Sequence, residues 1–247
     1  MILGLIKIVF WSSLVALFFG LYKGDALPQP VALSPLLEKE PVQRAVSKAP
    51  FDTSVKQTTY HIKPLYRYEL WGLVVSMHQA DGPVDYVHEE WGDHLNAVDI
   101  CVVWGKNALS GVYEKINFSS GQWTCYYETS DSAAWERFST AEISNNHILV
   151  DRDDIRARLK ELRVGDQIYF SGYLAEYSHD GGFFRGTSTI RSDTGNGACE
   201  TVFIEKIDIL RPGPRHWRKL RWVSGIVLLL SIAGWLLLPD RFHIKNL

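Results

Sequence analysis

Two apolar stretches bracket this chain and limit what can fold between them. Ile2 to Tyr22 carries one charge, Lys7, and is about long enough to cross a hydrocarbon core of roughly 30 Å. Trp222 to Pro239 carries none and lies near the lower length limit for a span. Both read as transmembrane helices. A cleaved signal peptide is the alternative for the first, because Lys7 gives a thin basic region and Gly24-Asp25-Ala26 resembles a weak small-residue cleavage site. The chain then divides into a helix at 1–23, a Pro-rich linker at 24–58, a β domain at 59–210, a basic juxtamembrane segment at 211–221, a helix at 222–239 and a tail at 240–247.

Charge beside the spans sets the expected orientation. Arg211, Arg215, Arg218, Lys219 and Arg221 precede the second helix and only Arg241 and Lys245 follow it, which places the central domain in the cytoplasm. Lys7 argues for the opposite, periplasmic side, and large domains cross membranes largely regardless of charge. A net charge of -2 over 247 residues does not favour nucleic acid or another polyanion as a partner.

Between the ends the texture is that of strands. Val164-Gly165-Asp166 is a turn, since Gly165 tolerates positive φ and Asp166 can bond nearby backbone. A strand follows, with Gly172 marking a bulge or close backbone approach. Ser178 to Gly182 is a connection, Phe183 to Ile190 resumes extended character, and Thr201 to Leu210 closes the unit. Upstream, Thr59 to Val75 reads as a long first strand, Val98 to Trp104 as a second and Trp123 to Glu128 as a third. Met77 to Leu95 reads as an irregular loop, or a loop with one helical turn, with Gly82-Pro83 as a turn signal. Asp151 to Leu162 is the one soluble helix, with Asp151 as its cap and Ile155, Leu159 and Leu162 on one face. Pro28, Pro30, Pro35, Pro41 and Pro50 make 24–58 an extended linker. Three strands, a helix and two more strands are the order of a small Greek-key barrel of the OB type. The expected fold is therefore mainly β, an OB-like barrel with one helix flanked by two transmembrane helices.

Glu69-Leu70-Trp71-Gly72-Leu73-Val74-Val75-Ser76, Cys101-Val102-Val103-Trp104-Gly105, Ser144-Asn145-Asn146-His147, Arg185-Gly186-Thr187-Ser188 and Asp193 to Glu200 resemble a family of uncharacterised bacterial membrane-associated proteins. The similarity runs roughly from Leu65 to Leu210. It implies a bacterial inner-membrane setting and brings no assigned activity and no catalytic residue.

In an OB-like barrel the loops His78 to Leu95 and Ser178 to Arg185 belong to the usual binding face. They carry Trp91, Phe183, Phe184 and Arg185 beside acidic residues, which suits a protein or envelope component better than nucleic acid. A non-enzymatic, membrane-tethered binding domain without cofactor or metal is the leading expectation. A hydrolase or transferase is the alternative. It would use Cys199 with His147 as thiolate and imidazole and Arg191 at an oxyanion, or a metal held by the His88 to His94 loop. That loop lacks the His-Glu-x-x-His spacing, and Asn145 and Asn146 read as turn residues. The Arg185, Arg191, Asp193 and Glu200 group reads as ion pairs holding a Gly-rich loop. The three cysteines lack zinc-site spacing. Buried free thiols are their plainest reading, with a Cys101–Cys125 cross-link open if the domain meets an oxidising compartment.

Overall fold

The computed structural model describes residues 2–82, 85–190, 193 and 198–237. Arg191 and Pro83, singled out above, lie outside them, as do residues 194–197 of the Gly-rich loop. The chain forms two units, one built from its two ends and one spanning Leu27–Gly213.

Helix α1 (Ile2–Tyr22) belongs to the first unit. The second unit runs through strands β1 (Val42–Ala45), β2 (Phe51–Val55) and β3 (Thr58–His78), helix α2 (Tyr86–Glu90), strand β4 (Asn96–Val103) and helix α3 (Gly105–Leu109). A hairpin of β5 (Asn117–Ser120) and β6 (Cys125–Glu128), helix α4 (Ser132–Arg137), strand β7 (Ile143–Leu149) and helix α5 (Asp153–Glu161) follow. Strands β8 (Gln167–His179), β9 (Phe183–Arg185) and β10 (Glu200–Arg211) complete it, and helix α6 (His216–Leu237) returns to the first unit.

In the helical unit Phe10 meets Trp235 edge-on at 5.8 Å and Phe19 meets Trp217 at 5.3 Å, so α1 and α6 pack antiparallel. A Cβ on Gly20 would lie 2.8 Å from the Arg221 backbone nitrogen, so only glycine permits this approach. Both helices are long and apolar enough to cross a membrane. α6 starts earlier than Trp222, which puts Arg218, Lys219 and Arg221 inside its first turns rather than in a separate segment. Arg218 pairs with Asp25 at 2.8 Å.

The second unit is mixed α/β, with eight strands in one large sheet. Strand β3 pairs antiparallel with β4, β4 with β7, and β10 with β8, while β7 and β10 run parallel. β8 then pairs antiparallel with β3 from Tyr60 to Leu73, so the pairings return to their first strand. Tyr68, Leu70, Ile100, Val102, Ile148, Phe170, Val202 and Ile204 from these strands form one buried cluster. Ile155, Leu159 and Leu162, spaced on one face of α5, join the same cluster. Each such side chain contributes about 1.5–3 kcal/mol when fully buried. Gly172 sits where a Cβ would lie 2.1 Å from the Phe203 carbonyl, the close approach expected of it. The Gly165 turn forms as read: Gly165 has φ 88° and the Asp166 carboxylate accepts from Arg163 N and Gly213 N at 2.9 and 2.7 Å.

Five expectations change. The supposed linker contributes β1 and β2, both paired with β3, and its Ser34 N donates to the Gln167 side chain at 2.6 Å. Its prolines fall outside the two strands, so they break the segment without removing ladder bonds. The stretch Trp123 to Glu128 supplies β6 of a separate two-stranded sheet, and β7 takes the place expected for it beside β4 in the main sheet. Extended structure after Phe183 stops at Arg185. Asp151 does not cap α5; its carboxylate accepts instead from Thr53 Oγ1 at 2.7 Å. Short helices α2, α3 and α4 join α5, so it is not the one soluble helix.

Candidate functional site

Strand alternation sorts β4 and β7 into two faces. Ile100, Val102 and Ile148 point to the enclosed core, so Asp99, Cys101, Asn145 and His147 share the opposite face. Asp99 lies directly across from His147 and Cys101 from Asn145. On the far side of β7, the parallel strand β10 sets Thr201 beside His147, with Cys199 two residues earlier. Three strands thus deliver an acid, an imidazole and a thiol to one place.

Asp99 Oδ1 accepts from His147 Nδ1 at 2.7 Å, with both residues buried. The Cys199 thiol lies close enough to the same imidazole to act on its charge, and both residues line one cavity. Burial alone would lower the His147 pKa, but the charge and hydrogen bond of Asp99, with the Cys199 contact, reverse this and push it up to about 9. Burial would raise Asp99, yet the facing imidazolium holds its carboxyl below the usual range. Asn145 Nδ2 donates to Cys199 Sγ at 3.5 Å and to the Trp123 carbonyl at 3.0 Å; the Cys199 thiol donates to that carbonyl at 3.5 Å. A cavity of about 860 Å³ covers this face, lined by Trp123, Asn145, His147, Arg185, Cys199 and Thr201 among others.

A disulfide joins Cys101 to Cys125. It fixes the start of β6, and with it Trp123, over the His147 face, so Cys199 is the sole free thiol in the chain.

Behind the thiol a polar network runs inward. Asn96 Nδ2 donates to Asp99 Oδ1 at 2.9 Å and lies 3.3 Å from His88 Nε2. Asp85 Oδ2 accepts from His88 Nδ1 and His78 Nε2, each at 2.7 Å, and its carboxyl stays low despite burial because of these bonds. Tyr177 donates to Asp93 at 2.8 Å, where burial raises the Asp93 pKa.

His78, Asp85 and His88 are the one group of side chains among the described residues that converges as metal ligands would, but their chemistry does not fit an ion. Ligand atoms on a tetrahedral zinc sit roughly 3.3 Å apart, given bonds of roughly 2.0–2.1 Å, whereas these contacts are 2.7 Å hydrogen bonds. Trp123 Nε1 also donates to His88 Nε2 at 3.0 Å. An indole nitrogen can only donate, so His88 carries its proton on Nδ1, the atom an ion would need. His94 is turned toward Lys56 and Glu89 rather than toward His88.

The residues expected at a binding face do come together. Trp91 stacks on Trp123 at 4.9 Å and meets Phe183 at 6.3 Å. Phe184 and Arg185 line the cavity, and the Arg185 guanidinium lies 5.3 Å over the Trp123 ring. Asn145 and Asn146 are buried strand residues, not turn residues. Cys101 and Cys125 are bonded to each other, not free thiols. His88 is buried, not part of a solvated loop. Asp193 is held by Ser188 Oγ at 2.6 Å, and among the described residues Arg185 forms no ion pair with it. Asp99 and Trp123 were missed as site residues. Asp99 is the centre of a Val-Asp-Ile run, where a charge inside a buried strand is itself a signal. No protein family, curated protein or solved structure matches the chain, so a reading of the site rests on its residues.

Proposed function

We propose that this chain is a membrane-anchored thiol enzyme, a hydrolase or transferase of acyl groups, with Cys199 as nucleophile and His147 as its acid-base partner. The observation that carries it is the buried Asp99–His147 pair facing Cys199 at one cavity. In that scheme the Cys199 thiol proton passes to His147, the sulfur bonds to the carbonyl carbon of the substrate and the carbonyl π pair moves onto oxygen. His147 protonates the leaving group as the tetrahedral adduct collapses to a thioester. It then takes a proton from water or from an acceptor alcohol or amine, which attacks the thioester and frees Cys199. Asp99 positions the imidazole through Nδ1 and stabilises its cationic form.

Incubating the full-length protein with p-nitrophenyl acetate should acetylate Cys199 faster than free cysteine at the same pH, and His147→Gln should remove the advantage. Acetylation no faster than that of free cysteine would sink the reading.

The five-strand cycle supports a Greek-key barrel of the OB type. Its order is first, second, third, fifth, fourth and back to first, the one parallel pair joins third and fifth, and α5 falls between third and fourth. The Trp91, Trp123 and Phe183 cluster favours a second reading, capture of a protein or envelope component without chemistry. The proposed setting is a bacterial inner membrane crossed by α1 and α6. The Cys101–Cys125 bond favours the periplasmic, oxidising side for Leu27–Gly213 over the cytoplasmic side suggested by the basic residues. A phosphatase fused after Lys160 should be active; an inactive fusion at normal expression places the domain inside.

A further inference from the structure

Arg185 is the residue at this cavity whose chemistry has not been used. Its guanidinium stacks over Trp123, yet Nη1 is buried without a hydrogen-bond partner, and no bond joins its other donors to a described residue. A guanidinium carries five donors in a planar fork; Arg185 is half-buried, and leaving its buried Nη1 without an acceptor is costly.

The backbone holds this group beside the thiol. Thr201 Oγ1 donates to the Gly186 carbonyl at 2.8 Å, Thr201 N to Thr187 Oγ1 at 2.9 Å and Ser188 N to the Cys199 carbonyl at 2.9 Å, so the segment after Arg185 runs along Cys199 to Thr201. Arg185 is close enough for its charge to act on His147, Asp93 and Asp99.

We infer that the site takes an acyl substrate bearing a carboxylate, which Arg185 binds while Cys199 addresses the carbonyl. A single fork and a single charge match one carboxylate, and Asp93, Asp99 and Asp193 nearby disfavour a dianion such as a phosphate monoester. This rests on the thiol-enzyme reading above.

Iodoacetate and iodoacetamide are the probes, because they differ only in the charge placed beside the reacting carbon. With the Cys101–Cys125 bond intact, Cys199 is the one thiol that reacts, and its peptide is quantified by mass spectrometry on the full-length protein. The ratio of iodoacetate to iodoacetamide rates should exceed that for glutathione by about tenfold, the size of one charge-assisted hydrogen bond. Arg185→Gln should return the ratio to the glutathione value. A wild-type ratio equal to that of glutathione, or one indifferent to Arg185→Gln, overturns the proposal. If Arg185→Gln does not fold, the wild-type protein decides it: propionate should slow iodoacetamide at Cys199 and propionamide should not, and equal effects overturn it. Failure of the thiol-enzyme reading looks different, as an iodoacetamide rate that matches glutathione and ignores His147→Gln.

Discussion

The indole of Trp123 donates its one proton to His88 Nε2 at 3.0 Å, and this bond decides the state of a whole network. With Nε2 an acceptor, Nδ1 must carry the proton that Asp85 receives at 2.7 Å. Both nitrogens of the His88 ring then have a hydrogen-bond partner, in accord with how buried polar groups are stabilised. The expected outcome is that the purified protein carries no stoichiometric zinc and that a chelator leaves its Tm unchanged. Elemental analysis that finds one zinc per chain would refute the assignment.

The Cys101–Cys125 bond closes a loop with a sequence separation of 24. Chain-entropy arithmetic assigns about 3 kcal/mol to a loop of that order. Replacing both cysteines by serine should therefore lower stability by about 2–4 kcal/mol. Trp123 should also loosen over the cavity, read as a red-shifted and more quenchable tryptophan emission. A double variant as stable as the parent would remove the bond from the account of the fold.

Ser188 Oγ donates to Asp193 Oδ2 at 2.6 Å, lies 3.1 Å from the Ile190 carbonyl and accepts from Ile190 N. Asp193→Ala should cost about 1–3 kcal/mol, the usual penalty for leaving a partly buried partner unpaired. An unchanged thermal melt accompanied by loss of Cys199 acetylation would move Asp193 from scaffold to site.

Much of the architecture was legible because it follows from local chemistry. Gly165 and Asp166 announce a turn, Gly172 a close approach, and Ile155, Leu159 and Leu162 an apolar helix face. β7 was not legible. Its Ser144, Asn145, Asn146 and His147 lack the β-branched and aromatic residues that mark strands. Two of these side chains meet distant partners, Asp99 for His147 and the Trp123 carbonyl for Asn145, which no local pattern announces. β1 and β2 were hidden for a related reason, since prolines around them mask short runs that extend an existing strand edge.

The site was half legible. Cys199 and His147 stand out by residue type, but their meeting depends on β7 and β10 running parallel, a long-range pairing that no local pattern encodes. Asp99 sits 48 residues from His147 and is joined to it by strand register alone.

The same pair gives a pH signature. His147 has a folded pKa of about 9 against an ordinary 6.5, so the folded state holds a proton that the unfolded state releases between those values. Unfolding then releases a proton, and stability must fall as pH rises across that window. The stabilisation is fully present below about pH 6.5 and is gone above the folded value of about 9. Asp99 acts with the opposite sign: its depressed carboxyl contributes above the ordinary carboxylate pKa and is lost as pH falls through the folded value. Wild-type Tm should thus decline from pH 6.5 to 9.5, with a shift of a few units corresponding to a few kcal/mol. His147→Gln should be less stable at pH 6.5 and should flatten that decline, because glutamine has no proton to lose. A variant whose melting temperature falls across this window as steeply as the parent's would show that the slope arises elsewhere and that the Asp99–His147 ion pair does not exist in the folded protein.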